Sequence, residues 1–257
     1  MNTKELFDLT GKTAIVTGGG NGIGKASCLI LAAFGANVVV SDYKLEAAEK
    51  VVEEIVNEGG KAMAIDCDVT KDEALVNLVN KTIDAYGQIN ILVNNVGGGG
   101  AGKESPYQIE VAQFKKVFEM NVFSMWRLCQ LVAPHMKQSG YGNIINMSSM
   151  ASINTSPAIS AYASSKAAIN HMTRNLAFDY GPDIRINAIG PGAIRTDALE
   201  TVLTPEIEKK MLAHTPLGRL GKVEDIAGAV LYFAAPVSNW VSGQVLFVNG
   251  GGVQTLD

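Results

Sequence analysis

Seven short apolar runs rich in β-branched residues recur along this 257-residue chain, at residues 13–17, 37–41, 62–66, 89–94, 142–147, 185–189 and 244–248. Longer amphipathic segments separate them, at 22–34, 44–58, 71–86, 110–137, 161–180 and 223–234. Parallel strands need crossovers of a dozen or more residues, and most of these segments have that length. The alternation therefore predicts an α/β fold, a doubly wound sheet of seven parallel strands with helices on both faces. No Pro/Ser-rich or charged linker interrupts it, and 47% hydrophobic residues suffice for one core, so residues 1–257 are expected to form a single domain. Two segments depart from the pattern: 97–106, loosened by glycines, and 191–220, too long for a simple connection and expected to be a substrate lid.

The formal charge of −4 and the lack of a basic run leave no electrostatic footprint for nucleic acid. Cys28, Cys67 and Cys129 lack paired spacing and read as reduced thiols. Residues 1–10, with acidic Glu5 and Asp8, do not fit a signal peptide, and no apolar run is long enough to span a bilayer. A cytoplasmic protein without a membrane partner is the expectation. His135, His171 and His214 have no nearby carboxylate or Cys ligand pattern and read as structural or surface residues, so no metal is expected.

Directly after the first predicted strand comes Thr17-Gly18-Gly19-Gly20-Asn21-Gly22-Ile23-Gly24, opening the first predicted helix. Glycines allow positive φ and close approach of a ligand, and the helix N-terminus presents amides to a pyrophosphate. The spacing of Gly18, Gly22 and Gly24 is not the Gly-x-Gly-x-x-Gly fingerprint, so position after the strand carries the inference of a Rossmann-like dinucleotide site. The alternative is a tight strand-to-helix turn. Asp42 ends the second strand, 18 residues after Gly24, where an acidic side chain accepts from an adenosine ribose and repels the extra phosphate of NADP. NAD is thus the expected cofactor; Lys44, two residues on, would partly screen the repulsion, and a helix N-cap is the alternative for Asp42. Asp68-Val69 and Asn94-Asn95-Val96-Gly97 end the next two strands, the edge where ligands of such sheets gather, although Asp, Asn and Gly also serve ordinary turns.

Ser149, Tyr162 and Lys166 bring a hydroxyl, a phenol and an ammonium into one short stretch. Tyr162 and Lys166 lie about one helical turn apart on one face, where a cation can stabilise a phenolate. An unperturbed phenol titrates near pH ~10, so a neutral-pH base needs such a charge. A surface aromatic beside a snorkelling Lys is the alternative for the pair alone.

The glycine turn, Asn94-Asn95-Val96-Gly97, Asn121, Ser149, Tyr162-x-x-x-Lys166 and Pro191-Gly192 together resemble the short-chain dehydrogenase/reductase family over nearly the whole chain, Val96 replacing its usual Ala. The resemblance implies Tyr162 as general acid/base and Ser149 as the partner that fixes the substrate oxygen. Lys166 would hold the nicotinamide ribose, and Asn121 would bend its helix to hold a water linked to Lys166. Gly18, Asn21, Gly22, Ile23, Gly24, Asp42, Asp68, Val69, Asn95, Pro191, Gly192, Ile194 and Thr196 would line the cofactor, and Ser148 would be a pocket or structural residue. Residues 97–100, 121–124, 162–168, 192–199 and 250–254 are similar to the bacterial 7α-hydroxysteroid dehydrogenase branch, which implies a bile acid substrate and, with the family, a homotetramer.

A 3-oxoacyl-carrier-protein reductase or sugar dehydrogenase on the same scaffold stays open, as does a non-catalytic NAD-binding module. Met150, Ile153, Ala158, Ile159, Leu199, Val202, Met211 and Leu212 suit either an apolar substrate or lid packing. Phe118, Phe123, Trp126, Met172 and Phe178 suit either a helix interface or the core.

Overall fold

The computed structural model describes residues 5–99, 103–201 and 203–252; Gly100, Val202, Val253 and Gln254 lie outside them, as does the side chain of Ala198. Its strands are β1 (Thr13–Thr17), β2 (Asn37–Asp42), β3 (Lys61–Asp66), β4 (Ile91–Asn94), β5 (Gly142–Met147), β6 (Ile184–Pro191) and β7 (Val245–Val248). All pair in parallel, in the order β3-β2-β1-β4-β5-β6-β7. The chain winds outward from β1 to β3, then β4 returns to the other side of β1. That reversal opens a crevice at the carboxyl ends of β1 and β4, where ligands of open α/β sheets bind.

Both faces are buried because successive strand residues point opposite ways. Val16, Val38, Val40, Val93, Ile145 and Ile189 form one core with α1 (Gly22–Ala33), α2 (Leu45–Asn57) and α9 (Val223–Ala234). Ile15, Val39, Leu92, Ile144 and Ile186 form the other with α3 (Asp72–Tyr86), α5 (Ser124–Ser139) and α6 (Ser160–Tyr180). Burial on two sides makes these strands read as continuous apolar runs. The three cysteines are free and buried, and burial pushes the thiols of Cys67 and Cys129 up to about 11 and about 12.

Two sequence expectations are corrected. The single helix over 110–137 is three pieces: α4 (Val111–Phe118), a π turn (Glu119–Phe123) and α5. Segment 191–220, expected to depart from regular structure, carries α7 (Asp197–Glu200) and α8 (Pro205–Leu212) among its described residues. Thr196 and Thr204 cap these helices, Arg195 ties them together through Glu200 and Glu208, and the Ile194–Gly221 bridge closes the base. Among the described residues no helix is long and apolar enough to cross a membrane.

Candidate active site

The glycine turn fits a dinucleotide phosphate. Gly18 and Gly22 have φ of +62° and +54°, a Cβ on Gly24 would collide with the Gly18 carbonyl, and one on Gly20 would lie 2.8 Å from Ala47 Cβ. Asn21 precedes α1 without a side-chain cap bond, leaving the amide-rich helix terminus to face the crevice. The turn is pinned from β4: Asn95 Nδ2 donates to Thr17 O at 3.0 Å and Gly18 O at 3.2 Å, while Thr17 Oγ1 accepts from the Asn95 and Val96 amides. Asn95 therefore shapes the turn through its own amide. Val96 leans on it as well, its Cγ2 standing 3.1 Å from where a Gly18 Cβ would be.

Asp42, 7% exposed, sits against the same turn. Its Oδ2 accepts from Gly20 N and its Oδ1 from Lys44 N, both at 3.0 Å. Because Lys44 itself is the N-cap position of α2, the capping alternative for Asp42 does not hold. Its carboxylate is held in one orientation at the edge of the glycine turn. Asp68 is exposed, and its Oδ1 is taken by the Thr70 amide and hydroxyl, which holds the carboxyl below its usual range; Val69 is buried beside it. On the opposite rim the Thr196 methyl approaches within 3.7 Å of a Gly22 Cβ position, so the base of the flap reaches the glycine turn. Pro191 ends β6, and Gly192 donates to Val248 O in a gap where a Cβ would stand 2.8 Å from Asn249 Cα. The Ile194 side chain belongs to the core under the flap.

The chemical groups converge beyond β5. Ser149 caps a short 3-10 turn (Met150–Ser152) through Ala151 N, and its hydroxyl lies near enough to the Tyr162 phenol to favour the phenolate. Tyr162 lies in the first turn of α6, with Lys166 one turn later, its Nζ 5.7 Å from the phenol ring centre. Lys166 is 3% exposed, donates to Met147 O at 2.8 Å, and is depressed by burial to about 8. Tyr162 is raised above the ordinary phenol range, by burial first, the Ser149 bond working against this and the charge of Glu104 adding to it. In the chain alone the phenol is thus held protonated, contrary to the lowering expected from Lys166.

Asn121, 1% exposed, occupies the π turn. One extra residue in the helical turn rotates its side chain inward. Oδ1 accepts from Gly98 N, and Nδ2 donates to Gly98 O and Ser165 Oγ. A Cβ on Gly97 would lie 2.7 Å from Lys166 Nζ and 3.4 Å from Asn121 Oδ1, so Lys166 and Asn121 meet across a glycine. Ser148 is buried and its hydroxyl donates to Lys166 O, a structural contact. A cleft of ≈ 410 Å³ opens in front, lined by Ser149, Met150, Gly192, Met211, His214 and Asn249 among others. Sequence reasoning missed the contacts of Glu104 and Ser165, because their partners lie 58 and 44 residues away.

The chain belongs to the short-chain dehydrogenase/reductase family. A family model described as "Enoyl-(Acyl carrier protein) reductase" matches residues 18–252. The 7α-hydroxysteroid dehydrogenase of Escherichia coli K12 is 51% identical over 258 residues, covering 100% of both chains. That of Clostridium sardiniense is 38% identical over 95% of this chain and 94% of its own. A solved structure of 7α-hydroxysteroid dehydrogenase complexed with NADH and 7-oxo glycochenodeoxycholic acid superposes with a TM-score of 0.95, at 50% identity and 100% coverage of both chains.

Proposed function

We propose that this protein is an NAD-dependent oxidoreductase that reversibly converts the 7α-hydroxyl of a bile acid into a ketone. The observation that carries the reading is the meeting of Ser149 and the Tyr162 phenol beside buried Lys166, with Ser149 lining a cleft that Pro191, Gly192 and Met211 also line. Full-length similarity to an enzyme of that activity supports the choice of substrate. Asp42 supports NAD over NADP, since a 2′-phosphate would face its carboxylate.

NAD, when bound, supplies the acceptor for the hydride that leaves the alcohol carbon. The turn over 18–24, Asp42, Asp68, Val69, Asn95, Pro191, Gly192, Ile194 and Thr196 are the residues we assign to holding it, with Lys166 at the nicotinamide ribose. Ser149 positions the substrate oxygen, and Tyr162 takes its proton in oxidation and returns it in reduction. Asn121 and Lys166 frame the route by which that proton exchanges with water. Residues 191–220 act as the lid over the cleft.

We assign the protein to the cytoplasm as a homotetramer, a reading supported by exposed Phe178, Trp240 and Leu246; sedimentation as a monomer at working concentration would refute the assembly. For the activity, purified protein should form NADH from NAD with cholate or chenodeoxycholate. Efficient turnover of another alcohol with neither bile acid consumed would remove the steroid assignment. Tyr162→Phe should abolish turnover while NAD still binds.

A further inference from the structure

The loop beyond the glycine run is fastened to the start of α6 by a buried acid that the proposed chemistry does not use. Glu104 is 2% exposed. Its amide donates to Ala158 O at 2.9 Å, it forms a parallel bridge with Ile159, and its Oε2 accepts the Tyr162 amide at 2.9 Å. Ile159 stands at the N-cap of α6 and has no side-chain oxygen, so the first-turn amides need acceptors from elsewhere. A carboxylate 58 residues away in sequence supplies one. The surroundings are built to hold it: a Cβ on Gly99 would lie 3.0 Å from Glu104 Oε1, and Ala158 takes a left-handed φ of 54° at the point of attachment. A buried carboxylate needs charge-assisted partners, and the positive end of a 21-residue helix is a favourable place for one.

We infer that Glu104 is a positioning residue for Tyr162, capping the catalytic helix through the Tyr162 amide and setting a buried carboxylate beside the acid/base residue. The inference rests on Tyr162 being the acid/base. Two charges act on the phenol from nearby, Glu104 from the loop and Lys166 from α6 itself. The charged side chains of the adjoining α4 and π turn, Lys115, Lys116 and Glu119, are exposed to solvent, and Arg185 of β6 is bonded away at Ser238, Val241 and Phe233. Glu104 opposes the stabilisation that Lys166 and the helix terminus offer a phenolate, and so favours the state that donates a proton to a ketone.

Glu104→Gln keeps an oxygen for the Tyr162 amide and removes the charge. Alcohol oxidation requires the phenolate, so the acidic limb of its kcat/KM profile should move to lower pH by roughly half a unit, the effect of one charge through a largely screened path. NAD affinity should stay within about twofold, as the group lies away from the glycine turn. Glu104→Asp restores the charge and should bring the limb back toward its original position. Superimposable wild-type and Glu104→Gln profiles, or equal movement in both variants, overturn the electrostatic role. Amide hydrogen exchange of Tyr162 in the unaltered, NAD-loaded protein tests the cap without any variant: strong protection is expected, and exchange as fast as an open first-turn amide refutes it. Activity surviving in Tyr162→Phe would sink the acid/base reading itself, whatever the exchange result.

Discussion

Replacing Lys166 with Met should stabilise the cofactor-free protein while removing its activity. Lys166 is enclosed on all sides, and burial lowers its ammonium from 10.5 to about 8. A fall of about 2.5 pH units, at ~1.4 kcal/mol each, means that keeping this charge folded at neutral pH costs roughly 3 kcal/mol. Met fills a similar volume without a charge, but it leaves Met147 O without the Lys166 donor, a loss of about 1–2 kcal/mol. The net gain is on the order of 1–2 kcal/mol, or a rise of roughly 2–6 °C in Tm for a domain of this size. The sign with pH follows from linkage. Between about pH 8 and 10.5 the unfolded chain holds more protons at this site than the folded one, so wild-type stability rises through that interval. The cost is complete below about pH 8 and has vanished above 10.5, so the advantage of Lys166→Met is largest at neutral pH and closes as pH rises. Thermal unfolding of both proteins at pH ~7 and ~9.5 reads this directly. A variant less stable than wild type at neutral pH, or a gap indifferent to pH, would refute the reasoning.

Asp42→Ser removes the carboxylate beside Gly20, leaving Lys44 and Lys50 in the adjoining groove together with Glu46 and the Lys25–Glu54 pair. The ratio of kcat/KM with NADP to that with NAD should rise by roughly 10²-fold, the worth of a like-charge contact of ~3 kcal/mol; an unchanged ratio would mean that Asp42 does not set cofactor choice. Gly97→Ala places a methyl 2.7 Å from Lys166 Nζ, which Met147 O and dense packing hold in place. Turnover should drop roughly 10- to 100-fold with Tm nearly constant, and wild-type turnover would show that Lys166 tolerates displacement.

What could be read without coordinates was local or periodic. The central strands β1, β2, β4, β5 and β6 were legible because each is buried on both faces and so spelled as an apolar run, β1 and β5 to the residue. Tyr162 and Lys166 were legible because one helical turn joins them. The π turn was not. Inserting a residue into a helical turn leaves 110–137 amphipathic on either side, so periodicity does not mark where Asn121 swings inward and only the family resemblance pointed to a bend there. Asn95 reads in sequence as a cofactor contact, and its side-chain amide is spent on Thr17 and Gly18, because a turn of five glycines in seven residues needs an external clamp to hold one shape.

The contacts that set the protonation of Tyr162 are the least local of all. The charge of Lys166 reads as a reason for a low phenol pKa, but burial of both groups weakens the ammonium and raises the phenol. Sequence spacing reports neighbours and says nothing of how much water each retains, and desolvation is the larger effect on both residues. A second unread influence arrives from Glu104, in a segment whose glycines suggested looseness and whose function requires them for a different reason. Gly97 makes room for Lys166, and Gly99 makes room for the Glu104 carboxylate. The run that looks like slack is therefore the path by which an ammonium and a carboxylate are both brought to one phenol, where burial and the Glu104 charge favour the protonated form.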